Sequence, residues 1–148
     1  MQIPSELRAY EKPTLIVVTN TMKAKLFLAK EREVEEISVI DVFKDFKDES
    51  SGREKLIDSG AGGNELSDKK DHITKDHFYH ALNEDLMRRL QNNEFEALAF
   101  TVPAELENEL KECLNVQLLK KTIAFVPKNL MNDDLVDIIT VVQEIPEE

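Results

Sequence analysis

The sequence lacks the features that would tie it to a membrane or to a disulfide scaffold. Of its 148 residues one is a cysteine, four are glycines and none is a tryptophan, so an internal disulfide is excluded. No apolar run approaches the ~18 residues of a membrane-spanning helix, and the first residues contain no apolar segment that would act as a secretory signal. We therefore expect a cytoplasmic protein with no membrane partner.

Positive charge is also scarce. Thirty acidic residues against nineteen basic ones give a net charge of −11. This balance disfavours any function that depends on broad attraction to phosphate backbones or anionic lipids. An acidic protein can still carry a local basic patch, so a nucleic-acid partner is not excluded.

Length and composition indicate one domain, residues 1–148, long enough to bury a hydrophobic core. An apolar content of 41% with 6% aromatic residues is typical of a small α/β protein. Residues 1–13 form a polar leader, either an ordered arm or a frayed terminus, and residues 144–148 form a frayed acidic tail.

Three apolar runs predict the first three strands. Residues 14–19 are a continuous β-branched run, which is typical of a central strand buried on both faces. Residues 25–29 and 37–43 follow after short connections, with a charged turn at 31–33. Connections of this length predict hairpins, and therefore an antiparallel three-strand meander.

The second half alternates between helix and strand. Phe78, Leu82, Leu86 and Leu90 recur at helical spacing, which predicts the core-facing stripe of a helix that begins between Ser67 and Thr74. Two further strands are predicted at residues 97–102 and 122–126. Pro103 and Glu105 suit the first turn of the helix between them, and residues 132–134 suit the capped start of a last helix.

These elements define the fold class. Right-handed crossovers place the two late strands parallel to a central neighbour. We therefore predict an α/β fold with a five-stranded mixed sheet, in which an antiparallel three-strand meander is followed by two parallel crossovers and helices cover both faces.

A long glycine-containing loop at residues 44–71 is the candidate site. A loop of this length is usually either functional or a solvated insertion, and neighbouring glycines permit close backbone approach to a ligand. The lysines that follow could meet a phosphate near a helix N-terminus or only balance nearby acids. The candidate ligand-binding residues are Gly60, Gly62, Gly63, Asn64, Lys69, Lys70, His72, Asp76 and His77.

Four segments carry a resemblance to a known family. These are residues 14–27 (TLIVVTNTMKAKLF), the helix that continues from 76–78 (DHF), residues 97–103 (ALAFTVP) and residues 129–142. They resemble the bacterial family known as "protein required for attachment to host cells", a stand-alone relative of the middle domain of archaeal and eukaryotic peptide-release factors. The resemblance implies the release-factor middle-domain topology, which is similar to that of ribonuclease H-like folds.

The resemblance also implies a function for the loop. In release factors a Gly-Gly-Gln sequence before the long helix promotes peptidyl-tRNA hydrolysis in the ribosome. Gly62, Gly63 and Asn64 occupy the similar place here, with an asparagine that is one methylene shorter than glutamine. The resemblance therefore implies tRNA or the ribosome as a partner.

Three functions stay open. We expect a binding module related to the release-factor middle domain rather than an enzyme, without catalytic residues, cofactor or metal. One alternative is a hydrolase of peptidyl-tRNA or a similar ester, in which glycine N–H groups would stabilise the oxyanion. The other is a protein-interaction module, for instance a homodimer, with no nucleic-acid role.

Other chemistries are less well supported. Asp76 and His80 are spaced to share a metal, with His72 or Glu84 as a third ligand, but solvated helix residues are the simpler interpretation. A ribonuclease H-type enzyme needs carboxylates on the first and fourth strands, where the sequence offers Asn20 and Thr101.

The single cysteine is predicted to be buried and inert. Cys113 falls on an apolar helical stripe with three leucines, and a cysteine in such a stripe packs as a small hydrophobic residue. The stripe consists of Leu106, Leu110, Cys113 and Leu114.

Overall fold

A computed structural model describes residues 1–20, 23–41 and 63–144, and of residues 63–75 it describes the helical backbone without the side chains. The described strands form one sheet in the order β3-β2-β1-β4-β5. The strands are β1 (Tyr10–Thr19), β2 (Lys23–Glu31), β3 (Glu33–Asp41), β4 (Ala97–Thr101) and β5 (Thr122–Val126).

The pairing of the strands confirms the predicted fold class. β1 pairs antiparallel with β2, and β2 pairs antiparallel with β3. β4 joins the other side of β1 in parallel, and β5 joins β4 in parallel. The continuous β-branched run at residues 14–19 is buried throughout, as a strand flanked by two others requires.

Helices cover both faces of this sheet. They are α1 (Gly63–Gln91), α2 (Glu107–Cys113), α3 (Val116–Lys121) and α4 (Leu135–Glu144), with a 3₁₀ turn at Ala104–Leu106. None of the described helices combines the length and apolarity that crossing a bilayer needs.

The face that α1 covers has a core built from large side chains, and we call it the α1 face. Phe78, Leu82 and Leu86 of α1 are fully buried against it. Their i, i+4 and i+8 spacing forms the predicted stripe, because such positions lie on one side of a helix. The buried sheet residues of this face are Leu15, Val17, Ala24, Leu26, Leu98 and Phe100.

The opposite face, which we call the α4 face, is covered by a shorter helix and by the N-terminal arm, residues 1–9. Ile138, Ile139 and Val142 of α4 are buried here, as is Ile3 of the arm. The buried sheet residues of this face are Ile16, Val18, Phe27, Ala29, Val34, Ala99, Ala124 and Val126.

Hydrogen bonds fix the arm at both ends. The Ile3 N–H donates to the Arg32 carbonyl at 2.7 Å and the Val34 N–H donates to the Met1 carbonyl at 2.9 Å, so the arm extends the edge of the sheet beside β3. Near the other end, the Arg8 N–H donates to Gln143 Oε1 at 2.9 Å and Gln143 Nε2 donates to the Arg8 carbonyl at 2.8 Å.

Some predicted boundaries are wrong. β3 begins at Glu33 rather than at residue 37, because Val34 is buried opposite Ala29 and carries the ladder almost to the turn. β1 also begins earlier than predicted, at Tyr10. Helix α3 is absent from the sequence prediction, since six residues are too few to show a period.

The predicted loop at residues 44–71 is described only in part. The helix that was expected to begin between Ser67 and Thr74 begins at Gly63, so residues 63–71 are helical in backbone. The rest of that loop and residues 42–43 of the predicted third strand lie outside the described residues, as do residues 145–148 of the predicted tail.

Candidate functional site

The glycine motif falls at the start of the longest helix. Gly63 is the first residue of the 29-residue helix α1, and Asn64 is the second. The first four N–H groups of a helix have no partner within it, and together with the helix dipole they favour anionic groups. Gly60 and Gly62 lie outside the described residues, and the side chains of Asn64, Lys69, Lys70 and His72 are not described.

The remaining candidate side chains are exposed on α1. Asp76 and His77 are both exposed, and they precede Phe78, which is fully buried.

Two residues considered for a metal site, His80 and Glu84, lie close together on the surface of α1. His80 Nε2 lies 3.2 Å from Glu84 Oε1, and both side chains are about 70% exposed. Among the described side chains, no group of three His, Cys, Asp or Glu residues is placed to hold a metal ion. The contact between His80 and Glu84 is therefore a surface pair of adjacent helical turns.

Just beyond these exposed residues, α1 is joined to α2 through Tyr79. The Tyr79 hydroxyl donates a hydrogen bond to Glu109 Oε2 at 3.1 Å, and the tyrosine is 7% exposed. Burial raises the pKa of Tyr79, and the charge and hydrogen bond of Glu109 raise this pKa further. Because the hydroxyl stays protonated, it serves as a fixed donor rather than as a general base.

Asn83 makes the second connection between the same helices. Its Nδ2 donates to the Cys113 carbonyl at 2.7 Å and to the Tyr79 carbonyl at 3.1 Å. Its Oδ1 accepts the Asn115 N–H at 2.8 Å. One side chain therefore holds the end of α2 and the residue that caps α3.

The prediction that Cys113 is buried is wrong. Cys113 is exposed, whereas Leu106, Leu110 and Leu114 form the buried stripe. The chain leaves the helix at Leu114, and the i, i+4, i+8 positions face the core while Cys113 faces away from it. Partial desolvation of the sulfur, together with the nearby negative charges of Glu109, Asp76 and Glu112, raises the pKa of the thiol, so its thiolate is disfavoured at neutral pH.

The ends of β1 and β4 are occupied by polar groups that bind each other. Thr19 and Thr101 are buried, and the Thr19 hydroxyl donates to the Thr101 carbonyl at 3.0 Å. Asn20 accepts the Lys23 N–H at 2.9 Å through its Oδ1. These positions hold no carboxylate, in agreement with the sequence argument against two-metal nuclease chemistry.

For the candidate site, the structure describes the start of α1 and the contacts of α1 with α2. It puts Gly63 at a helix N-terminus and shows Tyr79, Asn83 and Glu109 holding that helix to its neighbour. Sequence reasoning missed these three residues, because Asn83 lies beside the apolar stripe of α1 and no local pattern marks it. A groove of about 650 Å³ is also present, but it lies on the α4 face, and none of the candidate ligand-binding residues predicted from the sequence lines it.

Comparison with known proteins places the chain in a family. No curated protein gives a significant match to the sequence. The family model "Bacterial archaeo-eukaryotic release factor family 12" matches residues 13–142. This span begins within β1 and ends within α4, and it contains all the other described strands and helices. The chain therefore belongs to the bacterial archaeo-eukaryotic release factor family 12.

Proposed function

We propose that the protein is a release-factor-related binding module that contacts tRNA or the ribosome through Gly60–Asn64 and the lysines Lys69 and Lys70. The observation that carries this proposal is the start of α1 at Gly63. Gly63 and Asn64 therefore open a long helix, in a chain that belongs to the bacterial archaeo-eukaryotic release factor family 12.

The chemistry of that terminus suits an anionic or ester ligand. Unpaired backbone N–H groups of the first turn can donate to phosphate oxygens or to a carbonyl oxygen. Lys70 follows Gly63 by seven residues, which is roughly 10 Å of helix rise. Lys69 and Lys70 balance Glu65 and Asp68 over that distance, so the segment is neutral in a protein whose net charge is −11.

The rest of α1 provides the anchor. Phe78, Leu82 and Leu86 are fully buried on the sheet, and Asn83 bonds to the end of α2. A contact made at the N-terminal turns is thereby connected to the body of the protein through one continuous helix.

Binding is favoured over catalysis by the residue at position 64. Asn64 stands where release factors carry glutamine, and its side chain is one methylene shorter. A shift of about 1 Å in a positioning group can cost on the order of a hundredfold in rate. Hydrolysis of peptidyl-tRNA by the same residues stays a prediction. The host-attachment family name that the sequence resemblance implied also stays a prediction.

Ribosome co-sedimentation at low ionic strength tests the proposal. We expect the wild-type protein to pellet with ribosomes, and both Gly63→Ala and the double variant Lys69→Ala/Lys70→Ala to pellet less. Alanine favours helix over glycine, so Gly63→Ala should leave α1 intact. Lys120→Ala/Lys121→Ala is the matched control, because it removes two exposed lysines at the end of α3.

The same samples distinguish binding from hydrolysis. Incubation with peptidyl-tRNA, with and without ribosomes, should release peptide no faster than the uncatalysed rate. Accelerated release that Asn64→Ala abolishes would support the hydrolase instead. Absence of ribosome and tRNA association at low ionic strength would reject the proposed function.

A further inference from the structure

The groove on the α4 face has the lining of a docking site. We propose that it binds a protein segment that carries arginine or lysine next to an apolar side chain. The groove has a volume of about 650 Å³ and lies between strands β2 and β3 on one side and the start of α4 on the other. It is separate from the surface proposed for tRNA or the ribosome, because α1 packs on the opposite face.

The floor of the groove is apolar. Phe27 of β2 and Val34 of β3 form one side, and Met131, Leu135 and Ile138 form the other. All except the half-buried Leu135 are at most 6% exposed. Because Leu135 alone among these five residues exceeds that exposure, the floor can accept at most one aliphatic side chain of a partner.

The rim is acidic. Glu36 of β3, whose strand partner is Phe27, stands on one side, and Asp133 and Asp134 stand on the other, just before α4. The neighbouring Glu35 is paired with Leu28 and points to the α1 face. Glu36, Asp133 and Asp134 are exposed. Within the part of the chain that the structure describes, none of these three carboxylates forms an ion pair.

The two cations of the groove are already bound to the backbone. Lys25 Nζ donates to the Met131 carbonyl at 3.2 Å, and the Met1 ammonium donates to the Val34 carbonyl at 2.8 Å. The three carboxylates of Glu36, Asp133 and Asp134 against these two cations leave the groove net negative, so its charge complements a basic segment.

The neighbouring sheet edge favours an extended partner. β3 is an outer strand, and its outer side is paired with the arm at Arg32–Val34. Among the described residues, nothing pairs through the backbone with the outer side of residues 35–40. The pairing of β2 with β3 shifts register between Leu26 and Phe27, beside Glu36. An extended segment can add to such an edge through backbone hydrogen bonds while its side chains enter the groove.

Fluorescence anisotropy with labelled peptides tests the inference. The probe is a peptide of alternating arginine and leucine, compared with one in which glutamate replaces arginine and one in which serine replaces leucine. At low ionic strength we expect the wild-type protein to bind the arginine–leucine peptide, and to bind the other two at least tenfold more weakly.

Charge-neutralising variants locate the binding. Glu36→Gln should weaken binding about twofold and Asp133→Asn/Asp134→Asn roughly fivefold, the effects of one and of two exposed ion pairs. Asparagine keeps the capping ability of aspartate at the start of α4. Glu105→Gln/Glu112→Gln removes the same charge as the double aspartate variant, from exposed positions near the α1 face, and should leave the affinity unchanged.

Three results would overturn the inference. These are no binding of the arginine–leucine peptide by wild-type protein, equal binding of the arginine–serine peptide, and equal losses in the groove and control variants. Sedimentation equilibrium adds a fourth, a dimer that the groove variants dissociate, since the groove would then be an interface between two copies of this chain.

Discussion

The two faces of the sheet are covered in different ways. On the α1 face the 29-residue helix α1 and the shorter α2 and α3 pack over phenylalanine and leucine side chains. On the α4 face a ten-residue helix and the N-terminal arm pack over isoleucine, valine and alanine. Since α4 does not extend across β2 and β3, part of the second face is left as the groove.

The difference bears on stability and on binding. Methylene groups buried in a close-packed face stabilise the folded state, whereas a face with a groove is stabilised less and leaves a surface that a partner can contact. The predicted helix-start site and the groove are therefore attached to different parts of the core, and substitutions on one face should leave the other face intact.

The largest expected effect is a core truncation on the α1 face. Phe78 is fully buried beneath α1, so Phe78→Ala should lower the free energy of unfolding by about 4 kcal/mol, as cavity-forming substitutions of phenylalanine do. Phe27→Ala on the α4 face should cost less, about 2 kcal/mol, because its side chain borders the groove and the cavity opens to solvent. Urea denaturation monitored by circular dichroism measures both.

Val116→Ala is the control for that pair. Val116 is 61% exposed, and its truncation should change the stability by less than about 0.5 kcal/mol. Equal losses for Phe78→Ala and Phe27→Ala would show that the groove is closed in solution, and the contrast between the faces would fail.

A smaller effect is expected where α1 meets α2. Asn83→Ala removes the hydrogen bonds to the Cys113 carbonyl and from the Asn115 N–H, which should lower stability by about 1–2 kcal/mol. Asn108→Ala is the matched control, because Asn108 is an exposed asparagine on α2. If the two substitutions cost the same, then Asn83 does not hold the helices together.

The strand pattern could be predicted because buried strands leave a local signature. The β-branched run at residues 14–19 identified the central strand, and short turns identified the meander. Helix α4 was readable from the capping residues 132–134 and from Ile138, Ile139 and Val142 at helical spacing. These signals depend only on neighbours along the chain.

What the sequence missed depends on tertiary contacts. Cys113 lies on an apolar pattern, but the helix ends there and the chain turns, so the residue faces solvent. Glu35 and Glu36 lie between the predicted turn at 31–33 and the predicted third strand at 37–43, but in the structure they belong to β3 and pair with β2. The groove joins β2, β3 and the start of α4, and no local pattern predicts such a meeting.

The candidate site was only partly predictable for the same reason. The glycine cluster showed where a helix should start, but a starting residue as early as Gly63 was not expected, since glycine disfavours helix interiors. At the first position of a helix this cost is small, and glycine is accepted near the N-cap. The correspondence of Gly63 and Asn64 with the release-factor motif stays a prediction from the sequence resemblance.

Substitution of the two tyrosines, one on each face, is expected to have the smallest effect on the free energy of unfolding at neutral pH. Burial raises the pKa of both above 10.0, but for Tyr79 the charge of Glu109 adds to the shift, whereas for Tyr10 the nearby polar side chain of Gln143 and the charge of Arg8 oppose it. A pKa that is higher in the folded state gives stability that is complete below the unfolded pKa and is lost as pH rises through the folded pKa. The free energy of unfolding should therefore fall above about pH 10, and Tyr79→Phe should remove more of that fall than Tyr10→Phe.

Absorbance of tyrosinate provides the direct measurement, since the protein has two tyrosines and no tryptophan. A Cys113→Ser background removes the thiol, whose pKa is also raised from 9.0. In that background Tyr10→Phe leaves only Tyr79, which should ionise at a higher pH than the Tyr10 that remains in Tyr79→Phe. The reverse order would mean that Glu109 does not contact Tyr79 in solution, and that the hydrogen bond joining α1 to α2 on the more tightly packed face is not formed.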